Sequence, residues 1–306
     1  NNTIKKHEHT RADKEQDRIN HVDYCNANTG PIFLTYRAKA EITEKIEAWK
    51  ANHKPVYDYV AEDNVAHTVW VIDDEALIAF FTEAFAGVKN LYIADGHHRN
   101  ASAVKVGLKR REQNPNWTGD EEFNYYLSVM FPDEELYIMD YNRVVQDLNG
   151  NSSDDFMKKV SEKFEISEAG GCCCCCSSEP FRPEEKHTFG MFLDGKWFKL
   201  AAKAGTYDEA DPVGRLDVSI LQNNLLRPIL GIEDPRTDKR IDFIGGIRGL
   251  EELERRVNEG MKVAFSMFPT TIEDLMAIAD AGEVMPPKST WFEPKLRSGL
   301  FVHELA

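Results

Sequence analysis

Apolar and polar positions along this chain follow two periods, and the period switches often. "PIFLTYR" (31–37), "NLYIAD" (90–95), "IDFIGG" (241–246) and "MKVAFSMFP" (261–269) are short apolar runs of strand length. "FNYYLSVMFP" (123–132) and "ELYIMDYNRVV" (135–145) read as two more strands joined by Asp133-Glu134. Between such runs the apolar residues recur at helical spacing, as Ile42, Ile46 and Trp49 do within 40–52. The same period predicts helices over about Arg11 to Asn26, over 74–87 closed by Gly87, and over 100–115 ending near Pro115. It predicts further helices over 152–167, 216–232 and 249–260, and one over 270–283 opened by a capping box from Thr270 to Glu273. Hairpins are expected at 55–73 and 289–305, and at 186–202, where Asp194-Gly195 is a favoured tight-turn pair. Frequent hairpins mixed with helices point to α+β with a mixed sheet, not to a doubly wound parallel sheet.

The pattern divides into three regions: 1–150, a helix and β-hairpin region at 151–215, and a smaller α/β region, itself of α+β make-up, at 216–306. A length of 306 residues suffices to bury a sizeable core. The formal net charge of -15 argues against DNA and anionic membranes as partners, and the basic run Lys109-Arg110-Arg111 reads as a solvated helix face. No apolar run reaches the roughly 20 residues that span a bilayer, and no signal peptide is visible. Cys25 stands alone and Cys172 to Cys176 form an unbroken run, read as part of a flexible loop near 170–180. A lone free cysteine suits a reducing cytoplasm.

Chemistry concentrates at Asp95-Gly96-His97-His98-Arg99, where a strand gives way to a helix. A helix start exposes unpaired N–H groups and the positive end of the dipole, and so binds phosphate. Gly96 lets an anion approach the backbone, and the planar fork of Arg99 can grip two oxygens. His97 and His98 can donate hydrogen bonds or move a proton near neutral pH. Asp95 is placed to cap the helix, hold a histidine or act as a base. The alternative is a polar connection whose histidines satisfy local carbonyls.

Three further stretches carry candidate groups. In "HEHTR" (7–11) a strand would put His7 and His9 on one face and Glu8 on the other. With His97 and His98 that face would suit a metal, or His7, His9, Thr10 and Arg11 would line a phosphate cradle. "GGIRG" (245–249) repeats the strand–glycine–arginine–helix logic with Arg248, and reads equally as a tight turn. "MPPKSTWFEPK" (285–295) sets Lys288 and Ser289 behind a rigid Pro-Pro, with Trp291-Phe292 as core. Asp73 and Asp74 precede a helix and read as caps.

The pentad resembles the Gly-x-x-Arg phosphate-binding box of the ParB/sulfiredoxin-like superfamily. The whole chain is similar to the conserved family called domain of unknown function 1015, through "HEHTRADKEQDR" (7–18), "YIADGHHR" (92–99), "IDFIGGIRGLEELE" (241–254) and "VMPPKSTWFEPKLRSGLF" (284–301). The resemblance implies a ParB/sulfiredoxin-like mixed-sheet domain over 1–150. Members of that family usually carry further residues before the His-Glu-His-Thr motif, which fits a chain opening on Asn-Asn-Thr. Distant resemblance to an archaeal free serine kinase implies Mg²⁺ with ATP or ADP as cofactor, and phosphoryl transfer to a small hydroxyl compound such as serine. Gly96, His97, Arg99, Arg248, Lys288 and Ser289 would then hold phosphate. Glu8, Asp95 and His98 are the candidate catalytic groups, and His7, His9 and Thr10 further binding groups. That kinase takes its catalytic carboxylate from a region preceding these motifs, so that residue does not carry over. Two other readings stand beside this one: a non-catalytic ParB-like nucleotide switch, and a metal-dependent hydrolase built on the histidines.

Overall fold

The computed structural model describes residues 2–169, 180–293 and 295–306. The Cys172–Cys176 run lies outside the described residues. Contacts cluster into two compact units, one of 1–136 with 294–306 and one of 137–293. The division falls after Leu136, where the sequence pattern suggested a break near 150, because the strand Tyr141–Val145 pairs with strands from the last third of the chain.

In the first unit the elements run β1 (Ile4–Lys5), α1 (Ala12–Cys25), β2 (Ala27–Asn28), β3 (Ile32–Tyr36), α2 (Ala40–Asn52), β4 (Tyr57–Val60), β5 (Ala66–Val69), α3 (Glu75–Ala86), β6 (Leu91–Asp95), α4 (His97–Gln113) and β7 (Ser128–Pro132). The main sheet is mixed, in the order β1-β6-β3-β7, with β6 and β3 antiparallel and the outer pairs parallel. Every residue of β3 is buried, as an interior strand requires. Ile32, Leu34 and Ile93 form one core cluster, and Tyr36, Ile42 and Ala84 form a second beneath α2 and α3. Asp74 caps α3 by accepting from the Leu77 N–H at 2.7 Å, and β4 with β5 forms the hairpin expected at 55–73.

The second unit holds β8 (Ile138–Met139), β9 (Tyr141–Val145), α5 (Ser153–Val160), β10 (Phe164–Glu168), β11 (Thr188–Leu193), β12 (Lys196–Ala202), α6 (Asp217–Leu221), a π-helical turn (Gln222–Leu226), β13 (Ile241–Gly245), α7 (Glu251–Asn258), β14 (Val263–Met267), α8 (Ile272–Ala281) and β15 (Trp291–Phe292). Its six-stranded sheet is antiparallel throughout, in the order β10-β12-β11-β14-β9-β13. Leu250 and Leu253 at the start of α7 pack on Val144, Ile244, Phe192 and Trp197. The Asp194-Gly195 hairpin forms as expected, both residues at positive φ.

Helices and sheets are mixed, as an α+β chain should be, but several local expectations fail. Helix over 152–167 stops at Val160, and Phe164–Glu168 becomes an edge strand along β12. The capping box is one residue later, Thr271 with Asp274, since Asp274 supplies the reciprocal carboxylate. Helix over 216–232 is interrupted by the π-helical turn. Among the described residues of 289–305 no hairpin forms. Trp291–Phe292 instead pairs with β8, and His303–Glu304 pairs with β2. The Lys109-Arg110-Arg111 run is not merely solvated. Lys109 meets Asp23 at 2.6 Å, Arg110 reaches Asn26, and Arg111 lies over the Trp117 ring at 4.3 Å.

Candidate functional site

The joint between β6 and α4 is shaped by Gly96. Its φ is +91°, a left-handed conformation that side chains rarely tolerate. A Cβ there would also stand 2.9 Å from the Arg99 guanidinium, so glycine is required both for the turn and for the arginine lying across it. Asp95 steadies the turn by accepting the Gly96 N–H at 2.7 Å, and its other oxygen is 3.5 Å from Lys295 Nζ. The first α4 bond runs from the Asn100 N–H to the Gly96 carbonyl at 2.9 Å. The amides of His97, His98 and Arg99 thus have no acceptor within the helix, and no acid sits in its first turn.

A cavity of about 330 Å³ opens at this helix start. Asp95, Gly96, His98 and Arg99 line it, and so do Lys14, Arg18 and His21 of α1. The two helices are tied together by the Arg11 N–H donating to His98 Nε2 at 3.0 Å and by the Lys105–Glu15 and Lys109–Asp23 ion pairs. Accepting at Nε2 leaves the neutral His98 ring its Nδ1–H as donor. Arg99 Nε is buried without a partner, and Lys14 and Arg18 make no side-chain hydrogen bond or ion pair among the described residues. Asp95 is the one acid in the lining. Three cations line the cavity beside one carboxylate, Lys14 and Arg18 exposed and Arg99 with its Nε buried, where a charge without a counter-charge is costly. The arrangement is chemically suited to an anion.

Other expected site residues lie elsewhere in this unit. β1 ends at Lys5, so "HEHTR" is not a strand, and His7 and His9 do not share a face. His7 is buried, while His9 is exposed. Two buried imidazoles meet edge to face, His7 and His97, with centroids 4.5 Å apart. The His7 N–H donates to His97 Nε2 at 3.5 Å, which leaves His97 Nδ1 facing Glu8 Oε2 at 3.7 Å. Burial pushes His97 down to about 4, and His7 well below the usual histidine range, by desolvation and then by the charge of its neighbour. Both rings are therefore neutral at physiological pH. Thr10 donates to Glu15 at 2.6 Å and so helps to anchor the start of α1. Glu8, His7, His9, Thr10 and His97 do not line the cavity. Among the described residues no group of three or more His, Cys, Asp or Glu is placed to hold a metal ion.

Sequence reading missed Lys14, Arg18 and His21, although their spacing of four and three residues puts them on one helix face. It also missed Gly30 and Ser298. Ser298 Oγ comes so near Gly30 that a Cβ there would stand 3.0 Å from it and 3.8 Å from the Arg99 side chain.

Arg248, Lys288 and Ser289 belong to the second unit. The glycines before Arg248 are explained by packing. A Cβ on Gly245 would strike the Trp291 ring at 2.7 Å, and one on Gly246 the Asp140 carboxylate at 2.3 Å. Arg248 is exposed, and the acids near it are already paired with other arginines, Asp242 with Arg256 at 2.6 Å and Glu252 with Arg255 at 2.7 Å. Lys288 lies with Nζ 5.4 Å from the Tyr141 ring centre, and its carbonyl accepts from Arg143 at 3.0 Å. Ser289 is buried and donates to the Pro286 carbonyl at 2.6 Å, closing its own loop. No helix among the described residues is long and apolar enough to cross a membrane.

No curated protein matches the chain. Solved structures with some likeness include a free serine kinase mutant in complex with ADP, at 15% identity and a TM-score of 0.44, covering 95% of this chain and 84% of that one. A conserved hypothetical protein from Pyrococcus furiosus is 15% identical with a TM-score of 0.42, covering 97% and 90%. SbnI with a C-terminal truncation, from Staphylococcus aureus, is 10% identical with a TM-score of 0.48, covering 98% and 84%. None of these likenesses is close enough to assign a ligand to this chain. The family model described as a protein of unknown function, DUF1015, matches residues 1–219, and the chain belongs to that family.

Proposed function

We propose that the cavity at the start of α4 binds the phosphate chain of a nucleotide, ATP or ADP, and that the protein is a phosphotransferase acting on a small hydroxyl compound such as serine. The observation that carries the binding reading is Arg99, whose Nε is buried without a partner beside the free amides of α4. Lys14 and Arg18 supply the remaining charge, and a volume of about 330 Å³ lies in the range of small-molecule sites. Phosphoryl transfer needs positioned cations more than covalent chemistry from the protein, and this lining provides them. Asp95 lines the cavity with one oxygen committed to the Gly96 N–H, so it can take the acceptor's proton or share Mg²⁺ with the phosphates, a usual ligand set for that ion. When bound, Mg²⁺ would supply charge neutralisation. His98 would donate from Nδ1 while Arg11 holds its other nitrogen. Glu8, Arg248, Lys288 and Ser289 have no part in this reading. We also propose that the first unit belongs with the ParB/sulfiredoxin-like folds, on the strength of its Gly-x-x-Arg box at a strand–helix joint.

Calorimetric titration with ATP, ADP and CTP in the presence of Mg²⁺ tests the binding reading, beside Arg99→Ala. Micromolar affinity that the variant loses is the expected result. No binding to the unaltered chain, or equal binding to both, overturns it. Binding without phosphate transfer to serine or other small alcohols would leave a nucleotide switch in place of the kinase.

A further inference from the structure

Arg143, in the middle of β9, is buried, at 4% exposure. Its Nη1 donates to the Tyr141 carbonyl and its Nη2 to the Lys288 carbonyl at 3.0 Å, and the guanidinium lies 5.5 Å from the Phe243 ring centre. Carbonyls and an aromatic face satisfy donors, but they do not neutralise a charge. Among the described residues Arg143 has no ion pair. Its nearest acid in sequence, Asp140, is already bound to Arg182 at 2.5 Å. Burial pushes the Arg143 guanidinium down to about 10, still charged at neutral pH.

This arginine lines a cavity of about 420 Å³. Ser219, 5% exposed, lines the same cavity and its Oγ has no hydrogen-bond partner. Ser219 lacks a hydrogen-bond partner and Arg143 lacks a counter-charge, and two buried polar groups left incomplete beside one space are the mark of a site whose ligand completes them. The other cations of the lining are answered locally, Arg227 by Glu233 at 3.2 Å and Arg236 by Asp234 at 2.8 Å. One positive charge is left over. Val213, Val218, Leu226, Phe243, Pro286 and Pro287 make the rest of the wall largely apolar. Leu226 closes the π-helical turn, an irregularity that recurs at functional sites.

We infer that this cavity binds a small monocarboxylate with an apolar body, its carboxylate on Arg143 and Ser219 and its hydrocarbon part against Leu226, Phe243 and the Pro286-Pro287 loop. A single leftover charge favours a monoanion over a phosphate dianion, and the planar fork of arginine matches a carboxylate. The site stands on residues of the second unit alone and is independent of the nucleotide reading.

Titration of the whole chain with phenylacetate and 4-methylpentanoate tests this, each beside its neutral amide. The carboxylates are expected to bind and the amides to fail. Ser219→Ala is expected to weaken binding about tenfold, the worth of one hydrogen bond to a charged group. Arg143→Met and the cavity-filling Leu226→Trp are expected to abolish it. Equal behaviour of acid and amide, or no binding of either acid at millimolar concentration, overturns the inference. So does binding that survives Arg143→Met and Ser219→Ala, which would put the carboxylate elsewhere. Circular dichroism checks each variant, and if Arg143→Met does not fold, Ser219→Ala and Leu226→Trp decide the matter.

Discussion

The two glycine-and-arginine joints, Asp95–Arg99 in one unit and Gly245–Gly249 in the other, are alike as strings. Each follows a buried strand and precedes a helix. Physically they are opposites. Gly96 makes room for an arginine whose buried Nε has no partner among the described residues, whereas Gly245 and Gly246 make room for Trp291 and Asp140. The first turn of α4 carries no acid, while α7 opens with Glu251, Glu252 and Glu254. A helix start is an anion site only where the protein has not already supplied the anion. Counter-charge, not the motif, separates the two.

Acid should separate them most. The first joint buries a histidine and the second has none. His97 titrates from the usual 6.5 in the unfolded chain down to about 4 in the fold. Between those values the unfolded chain binds more protons, so stability is fully present above pH 6.5 and is lost as pH falls towards 4. The loss approaches about 3 kcal/mol, and His7 acts in the same direction. Urea unfolding at pH 7.5 and 4.5 should show a smaller acid loss in His97→Gln, whose Oε1 can accept the His7 N–H in place of the ring. Superimposable profiles would mean that His97 is not held neutral. Next in size is the pair Arg99→Ala and Arg248→Ala. Losing one hydrogen-bonded charge contact costs about 1.5–3 kcal/mol, on the order of tenfold to a hundredfold in nucleotide affinity. Arg248→Ala should leave that affinity unchanged, and a matching loss there would erase the contrast.

The glycines sharpen the contrast by different routes. Alanine at 245 meets the Trp291 ring at 2.7 Å without any conformational conflict, so it should destabilise by about 1–3 kcal/mol through overpacking and leave nucleotide binding intact. Alanine at 96 is strained by the positive φ and displaces Arg99, so affinity should fall together with stability. Denaturation midpoints and titrations on both variants check this. Normal nucleotide affinity in Gly96→Ala would contradict the placement of Arg99.

Much of the first joint was legible because its signal is local. An apolar strand, a glycine and a helix period define the turn, and Asp95, Gly96, His98 and Arg99 all line the cavity. What was not legible depends on distant neighbours. Glycines at 245 and 246 read as anion space until Trp291 and Asp140 fill it. His7 and His9 looked paired because alternation was assumed for a segment whose strand ends at Lys5. The helix read over 152–167 failed because Phe164–Glu168 gains a strand partner 30 to 38 residues on, which no local period reveals. Arg143 was invisible as a site residue, since a lone arginine in "YNRVV" carries no sign that its counter-charge is missing.

Lys14 and Arg18 give the smallest effect and the finest test of what the α1 face contributes. Both are exposed, so water and salt screen them, and each should be worth under about 1 kcal/mol to a bound phosphate chain. Lys14→Ala and Arg18→Ala should each weaken nucleotide binding by no more than about fivefold at low salt. The deficit should shrink as salt rises, because these side chains act through charge at a distance. Arg99, partly buried and in contact with the cavity, should keep most of its effect in the same salt series. Titrating the three variants from low to high ionic strength distinguishes a screened rim from a contact group. Equal salt sensitivity in all three would place Arg99 on the rim too, and the first joint would then differ from the second only in degree.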